Sequence, residues 1–202
     1  HGRTLIYATA ARGIEASGVA PTGATNRNAV LPAILTDKRE LGVRTKVAGL
    51  AFAAALFEIG KPYAALRPDG VFALDGQVRH RAVEASLSGT LAPGPDIVLG
   101  AVAIDGRVTG PLVAAGQLGH RPIVIPDYRA QLALNYAPAW ARRVSFDAVA
   151  DLTGPQNARL DGRLRLPASA SLDLGARYRA SIRRTPVELR AQVLNLFDAY
   201  TF

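Results

Sequence analysis

Apolar and polar residues alternate along residues 127–137 with a period of two. One side of that pattern carries Tyr128, Ala130, Leu132, Leu134 and Tyr136, and the other carries Asp127, Arg129, Gln131, Ala133 and Asn135. Successive side chains of a β-strand point to opposite faces, so a period of two is typical of a strand. We therefore expect one face of this segment to lie against apolar surroundings and the other against water.

The same alternation recurs along the chain and predicts nine strands. It is clearest in 127–137 and repeats in segments 79–91, 142–153 and 168–180, where the helical spacing of three and four residues is missing. The predicted strands are 3–12, 38–47, 50–59, 79–91, 97–106, 127–137, 142–153, 168–180 and 185–197. This succession predicts an all-β antiparallel meander.

The lengths of the connections indicate which kind of sheet this is. Short connections are predicted at 48–49, 92–96, 138–141 and 181–184, and long ones at 13–37, 60–78, 107–126 and 154–167. Alternating strands also occur in soluble sandwiches, but those have no reason to place every long loop on one rim. Short turns on one rim and long loops on the other are typical of outer-membrane β-barrels. The long loops are rich in Gly, Pro, Asn and Thr, which predicts irregular backbone without helix.

The aromatic residues and the hydropathy of the chain agree with a barrel that crosses a membrane. Tyr128 and Tyr136 share the apolar face, roughly 19 Å apart along the membrane normal for a tilted strand. That separation approaches the two aromatic girdles around an apolar band of about 25 Å. No run of 18 apolar residues is present, so the sequence excludes a transmembrane helix.

Composition and charge narrow the chemistry further. Hydrophobic residues make up 49% of the chain and charged residues 20%, values that a soluble domain could share. The net charge of +8 reflects either arginine-rich surface chemistry or attraction to an anionic partner, such as lipopolysaccharide, an acidic small ligand or nucleic acid. Nucleic acid is disfavoured, because the arginines are spread singly and the aromatic residues form no stacking platform.

Several segments, taken in their order and spacing, resemble the barrels of TonB-dependent outer-membrane receptors of the ferric-siderophore type. The last of them reads Asn-Leu-Phe-Asp at residues 195–198 and is followed by Tyr200. The others are 5–10, 38–44, 55–59, 79–84, 130–136 and 172–178. The resemblance covers essentially the whole chain and places it in the C-terminal part of the barrel.

The resemblance implies an outer-membrane barrel of about 22 strands, plugged by an N-terminal domain and energised by TonB. We expect residues 1–202 to form an open, curved part of that barrel, without the plug domain and the final strand. An odd count of nine strands supports this expectation, because bacterial single-chain barrels have an even number. The implied partners are a ferric siderophore or similar chelate, outer-membrane lipid and lipopolysaccharide, and TonB acting through the plug.

We choose candidate ligand-binding residues by two criteria: they lie on the polar face or in a long loop, and they lie near the rim that carries the long loops. They are Tyr63 and Arg67 in the second long loop, His80 and Arg129 on polar faces near the outer end, and His120 and Arg121 in the third long loop. Arg177 and Arg179 lie near the opposite rim and are expected to contact the plug. An alternative for an arginine on the polar face is an ion pair with a carboxylate such as Glu84 or Asp151.

No enzyme, cofactor or resident metal is expected. The chelator would supply the ligands of the iron, and the chain has no cysteine and no His/carboxylate cluster at ligand spacing. Ser145 and Asp147 share a face, but their strand lacks the histidine that a hydrolase would need. Three non-enzymatic alternatives remain: a passive porin-like channel, a receptor for haem, cobalamin or a glycan, and a soluble ligand-binding β-barrel.

Overall fold

The computed structural model describes residues 3–200, and within them nine long strands form the main sheet. Two short strands, β8 and β9, form a separate pair. The strands are β1 (Thr4–Glu15), β2 (Ile34–Val47), β3 (Leu50–Leu66), β4 (Phe72–Thr90), β5 (Asp96–Thr109), β6 (Tyr128–Tyr136), β7 (Val144–Thr153), β8 (Gln156–Asn157), β9 (Arg165–Leu166), β10 (Ser169–Ile182) and β11 (Thr185–Val193). All nine predicted strands are confirmed.

The strands of the main sheet lie side by side in chain order. Each pairs antiparallel with its predecessor, and β10 follows β7 because β8 and β9 fold away into the loop between them. The sheet does not close on itself, so β1 and β11 form its two edges. The expected open antiparallel meander is confirmed.

The pairing register sorts the side chains onto two chemically different faces. Leu132 pairs with Leu99 on one side and with Ala150 on the other, so apolar residues continue from strand to strand on one face. Large side chains on this apolar face are exposed, among them Ile6 at 73% and Leu56 at 55%. The opposite, polar face is the inner one, where Ala55 and Ala82 are buried. A sheet that exposes its large apolar residues is built to contact lipid or another apolar partner.

Aromatic residues mark the end of the apolar face that lies near the short turns. Tyr136 pairs directly with Phe146, and Tyr178 pairs with Val144 one position further along. Tyr128 lies on the same face toward the long loops, and its side chain is as exposed as that of Tyr136. The aromatic residues therefore lie near both ends of the apolar face, as expected for interfacial girdles.

The predicted second long loop, 60–78, is wrong. β3 continues to Leu66 and β4 begins at Phe72, so only a tight turn at 67–71 remains. In this outer hairpin β3 no longer pairs with β2 beyond Gly60, and Pro62 is tolerated because its missing N–H needs no partner there. Polarity does not alternate along this part of the strands, so sequence periodicity could not find it.

Other deviations are smaller. The third long loop contains a one-turn helix, α1 (Pro111–Ala114), where irregular backbone was expected. The last strand ends at Val193 instead of 197, because Asn195 adopts a left-handed conformation and its side chain bonds both backbone groups of Ala199. Among residues 3–200 no helix has the length and hydropathy needed to cross a membrane.

An ion pair between a half-exposed arginine and a buried carboxylate fixes the outer hairpin. Arg67 Nε donates to Asp75 Oδ1 at 2.6 Å, and the Asp75 side chain is only 2% exposed. The backbone N–H of Arg67 also donates to the carbonyl of Val71 at 2.9 Å, which closes the turn. A carboxylate buried this deeply depends on its partner, because the desolvation cost is offset only while the pair is intact.

Tyrosine rings lie against glycines of the neighbouring chain segment at three places among the described residues. Tyr7 covers Gly42, Tyr63 covers Gly76, and Tyr128 covers Gly154. A Cβ at Gly76 would overlap both the Tyr63 ring and the carbonyl oxygen of Thr109. These glycines are therefore required for close packing between strands.

Replacing Gly76 with alanine should destabilise the protein by about 1–3 kcal/mol, because the new methyl group collides with backbone that cannot move aside cheaply. The matched control is Gly100→Ala. Gly100 also lies in a strand on the polar face, and an added Cβ there meets no atom within 4 Å. We expect that control to leave the free energy of unfolding unchanged or to raise it by about 0.5 kcal/mol. Urea unfolding in detergent, followed by circular dichroism, measures both; equal effects would contradict the packing role.

Replacing Arg67 with alanine should cost about 3 kcal/mol of unfolding free energy, because Asp75 is left buried without its counter-charge. Arg179→Ala is the control: its pair with Glu188 is exposed at both side chains (68% and 46%), so its loss should cost less than about 1 kcal/mol. The same unfolding measurement compares them. A loss for Arg67→Ala no larger than that of the control would show that the pair does not stabilise the hairpin.

Candidate functional site

The polar face carries a depression that we call the central depression, with a volume of about 610 Å³. Ala53 and Ala55 form part of its floor, since their small side chains leave room above β3. Arg129 and Glu84 stand on the same rung of the sheet, separated by Val102 of β5. The polar side chains that line it are Tyr7, Arg44, Glu84, Ser86, Arg129 and Gln131.

Most charged side chains that line the central depression form no ion pair among the described residues. Arg44 lies over the Tyr7 ring, 5.0 Å from its centroid. Arg129 and Glu84 form no ion pair with any residue in the described part of the chain, and Asp151 accepts a hydrogen bond from Gln131 at 2.8 Å instead. The alternative of an ion pair with a carboxylate of a neighbouring strand is thus not seen for Arg129. It is seen for Arg177, which approaches Asp147 at 3.4 Å. Arg129 keeps its guanidinium donors for another partner.

The third long loop folds inward over the polar face of β5. The N–H of Val108 donates to His120 and that of Ile104 to Asp127, so the chain bulges between these two bonds. A Cβ at Gly106 would lie 2.7 Å from the Pro122 ring and 3.2 Å from His80 Nδ1, so glycine leaves room for both. This bulge brings residues 120–122 beside His80.

A carboxylate flanked by two guanidiniums holds the third and fourth long loops together. Arg121 donates to Asp127 at 2.6 Å, and Arg165 of β9 donates to the other oxygen of the same carboxylate. The backbone adds bonds from Asp127 to Pro155 and from Val124 to Asn157. We call Lys61, His80, Arg121, Asp127 and Arg165 the outer cluster. Arg121 and Arg165 bind Asp127, whereas Lys61 donates to Glu15 at 2.8 Å.

The turn of the fourth loop has its own carboxylate. Asp161 accepts a hydrogen bond from the backbone N–H of Arg163 at 3.0 Å and another from Arg159 at 2.7 Å. The backbone bond, followed by the neighbouring guanidiniums, holds the pKa of Asp161 below its ordinary value. Asp161 therefore stays ionised and keeps this turn closed.

The two candidate residues of the outer hairpin are held differently: Arg67 has an ion-pair partner, whereas the buried Tyr63 hydroxyl has no hydrogen-bond partner among the described residues. The Tyr63 hydroxyl is buried beside Gly110, and Arg67 is bonded to Asp75. The structure thus divides the six candidates into three groups: Tyr63 with Arg67, His80 with His120 and Arg121, and Arg129 in the central depression. Ligand contact stays a prediction for all six.

The two residues expected to face the plug lie near the short-turn end. Arg177 approaches Asp147 Oδ1 at 3.4 Å, and Arg190 approaches the other oxygen at 3.8 Å. Arg179 pairs with Glu188 at 3.1 Å. Arg177 shares the polar face with Asp147. Contact of Arg177 or Arg179 with the plug stays a prediction.

Sequence reasoning missed Arg44, Lys61, Asp127 and Arg165. Arg44 had a usable signal, because it alternates in phase with Lys38, Glu40 and Gly42 on the polar face of β2. Lys61 was hidden by the wrong loop boundary. Arg165 had no signal, because its place beside Asp127 depends on how two loops fold. Within residues 3–200 no group of three or more His, Asp or Glu side chains is arranged to hold a metal ion.

Comparison with known proteins places this geometry in a family. The family described as TonB dependent receptor-like, beta-barrel matches residues 2–196. The ferrichrome receptor FcuA of Yersinia enterocolitica is 25% identical over 168 residues, which is 82% of this chain and 22% of that protein. The chain thus spans about a fifth of the length of this relative.

Solved structures share the fold over nearly the whole chain. BauA, the ferric preacinetobactin receptor of Acinetobacter baumannii, is 26% identical with a TM-score of 0.81, covering 96% of this chain and 30% of that one. FyuA, the ferric yersiniabactin uptake receptor of Yersinia pestis, is 24% identical with a TM-score of 0.78 over the same shares. The family match spans far more than half of the sequence, and the chain belongs to the TonB-dependent receptor β-barrels of the bacterial outer membrane.

Proposed function

We propose that this chain is the C-terminal part of the barrel of an outer-membrane receptor that takes up a ferric siderophore with energy delivered by TonB. The observation that carries the proposal is the similarity to the ferric preacinetobactin receptor over 96% of the chain at a TM-score of 0.81. The similarity to a ferrichrome receptor supports it independently. The role is binding and passage of a chelate, without catalysis.

The polar face has the chemistry that such a ligand requires. Ferric chelates are often anionic and rich in oxygen, and guanidinium groups donate charge-assisted hydrogen bonds to such oxygens. Arg129 in the central depression and Arg121 with His80 in the outer cluster are the proposed ligand contacts. The outer cluster would meet the chelate first, since it is built from the long loops, and Arg129 lies further inward.

The remaining roles follow from position along the strands. Arg177 lies on the polar face toward the short turns, where a plug inside the barrel would fill the lumen. We propose that it contacts the plug, through which TonB acts. Arg179 is a weaker contact, because Glu188 already binds it.

Replacing Arg121 and Arg129 together with glutamine should weaken binding of the cognate ferric siderophore at least tenfold. Each lost charge-assisted bond is worth about 1.5 kcal/mol or more, and 1.4 kcal/mol corresponds to a factor of ten. The control is Arg183→Gln/Arg184→Gln, which removes the same charge from the turn between β10 and β11. Titration of the full-length receptor with ferrichrome and ferric preacinetobactin measures affinity, and growth under iron limitation measures uptake.

The dependence of uptake on TonB distinguishes the proposed receptor from a passive channel. Growth on a ferric siderophore that requires both this receptor and TonB supports an energised receptor. Uptake that persists without TonB would instead indicate a passive channel. Equal loss of affinity in the double variant and its control would show that overall charge, and not the polar face, attracts the chelate.

A further inference from the structure

Glu84 lies on the polar face of β4, in the middle of the central depression, and no cation lies beside it. The residues directly opposite it are Ala55 of β3 and Val102 of β5. Opposite charges at such cross-strand positions stabilise a sheet, and like charges destabilise it. Pairing within the sheet therefore does not account for a carboxylate at this position. The diagonal neighbours on the same face are uncharged as well, namely Ala53, Phe57, Gly100 and Ile104.

The cations that line the depression lie on either side of Glu84, each two strands away. Arg129 is on the same rung beyond Val102, about 10 Å away between backbones for a strand spacing of about 4.8 Å. Arg44 lies beyond β3, one rung closer to the short turns, with its guanidinium over the Tyr7 ring. In the described part of the chain neither arginine forms an ion pair with Glu84. The exposed Glu84 carboxylate keeps its acceptor oxygens for another partner.

The depression has room for part of a ligand between these charges. Its floor beside Glu84 consists of Ala53, Ala55 and Gly100, and a Cβ added at Gly100 would meet no atom within 4 Å. Its volume of about 610 Å³ lies within the usual range of small-molecule sites, about 300–1,000 Å³. A ligand group can therefore approach the backbone closely and contact side chains on both sides.

Glu84 lies near the outer end of the apolar band, within reach of the rim with the long loops. Its neighbour Val83 shares a rung with Ala103 and Tyr128, and that tyrosine marks the end of the apolar face toward the long loops. In the proposed full barrel a chelate enters from this rim. Glu84 is therefore placed where an incoming ligand meets Arg129.

We propose that Glu84 determines which ferric chelates the receptor accepts, by binding an ammonium group of the ligand while Arg129 binds oxygens of the same ligand. An ammonium group has three N–H donors, and a carboxylate accepts charge-assisted hydrogen bonds from them. A lumen lined only by arginines would attract every oxygen-rich anion. A carboxylate between two arginines instead repels a chelate that presents only oxygens there, and built-in repulsion of this kind provides specificity. This inference rests on the proposed function and names the class of chelate within it.

The test is a titration of the full-length receptor with ferric chelates that differ in one charge. Ferrioxamine B is a ferric trihydroxamate with a free ammonium group, and acetylation of its amine removes that charge while leaving the iron centre unchanged. Ferrichrome, a trihydroxamate without an ammonium group, is the third ligand. The variant is Glu84→Gln. Its control, Glu188→Gln, removes a carboxylate from the polar face near the short turns.

We expect the wild type and the control to bind ferrioxamine B about tenfold more tightly than its acetylated form, the size expected for one charge-assisted hydrogen bond. Glu84→Gln should abolish that preference by weakening ferrioxamine B alone. Arg129→Gln should weaken both forms equally, because it binds oxygens that they share. Equal affinities of the wild type for the two forms would overturn the inference. So would a preference that survives in Glu84→Gln, because the ammonium group would then bind elsewhere.

Ferrichrome distinguishes failure of this inference from failure of the proposed function. Binding of ferrichrome without binding of ferrioxamine B would overturn the role of Glu84 and leave the siderophore receptor standing. An equal loss of affinity for all three chelates in Glu84→Gln would also overturn it, since that result describes a structural role of the carboxylate. Absence of binding of all three chelates, with no TonB-dependent growth on any of them, would refute the proposed function and this inference together.

Discussion

The structure depends first on the pairing of backbone N–H and C=O groups across neighbouring strands. In hydrocarbon each unpaired group costs several kcal/mol, so a chain that crosses a membrane with strands must pair them with one another. Connecting each strand to its neighbour in chain order achieves this with the shortest loops. It also fixes the register, and the register determines which side chains share a face.

Once the register is fixed, each face is packed by local means. On the apolar face, leucines, alanines and tyrosines remain exposed for lipid, so they contribute little to an internal core. On the polar face, tyrosine rings lie over glycines, as Tyr7 does over Gly42, and ion pairs such as that of Arg67 with Asp75 hold the parts that extend beyond the apolar band. The sheet has no conventional core among the described residues, and close contacts between adjacent strands stabilise it instead.

The sequence predicted those parts of the fold where the two faces meet different surroundings. All nine strands and their order were recovered, because alternation is strong along the apolar band. The outer hairpin was missed, since both of its faces meet water and residues 60–78 do not alternate. The outer cluster was only partly predicted: His80 and Arg121 could be named, but the pairing of Asp127 with Arg121 and Arg165 depends on loop folding that no periodicity records.

In this protein the surroundings of a basic residue depend more on the face of the strand that carries it than on whether it is an arginine, a lysine or a histidine. Arg79, His80 and Arg81 are consecutive in β4, yet His80 lies on the polar face beside the inward-folded loop, while its neighbours lie on the apolar face toward the long loops. A shift of one residue in the register would exchange them, placing arginines in the lumen and histidine toward lipid. The separation of a polar face from a lipid-facing one therefore depends on the same backbone pairing that allows the sheet to exist in a membrane. Features that fix the register, such as the glycines that accept a tyrosine ring, therefore act on both faces at once.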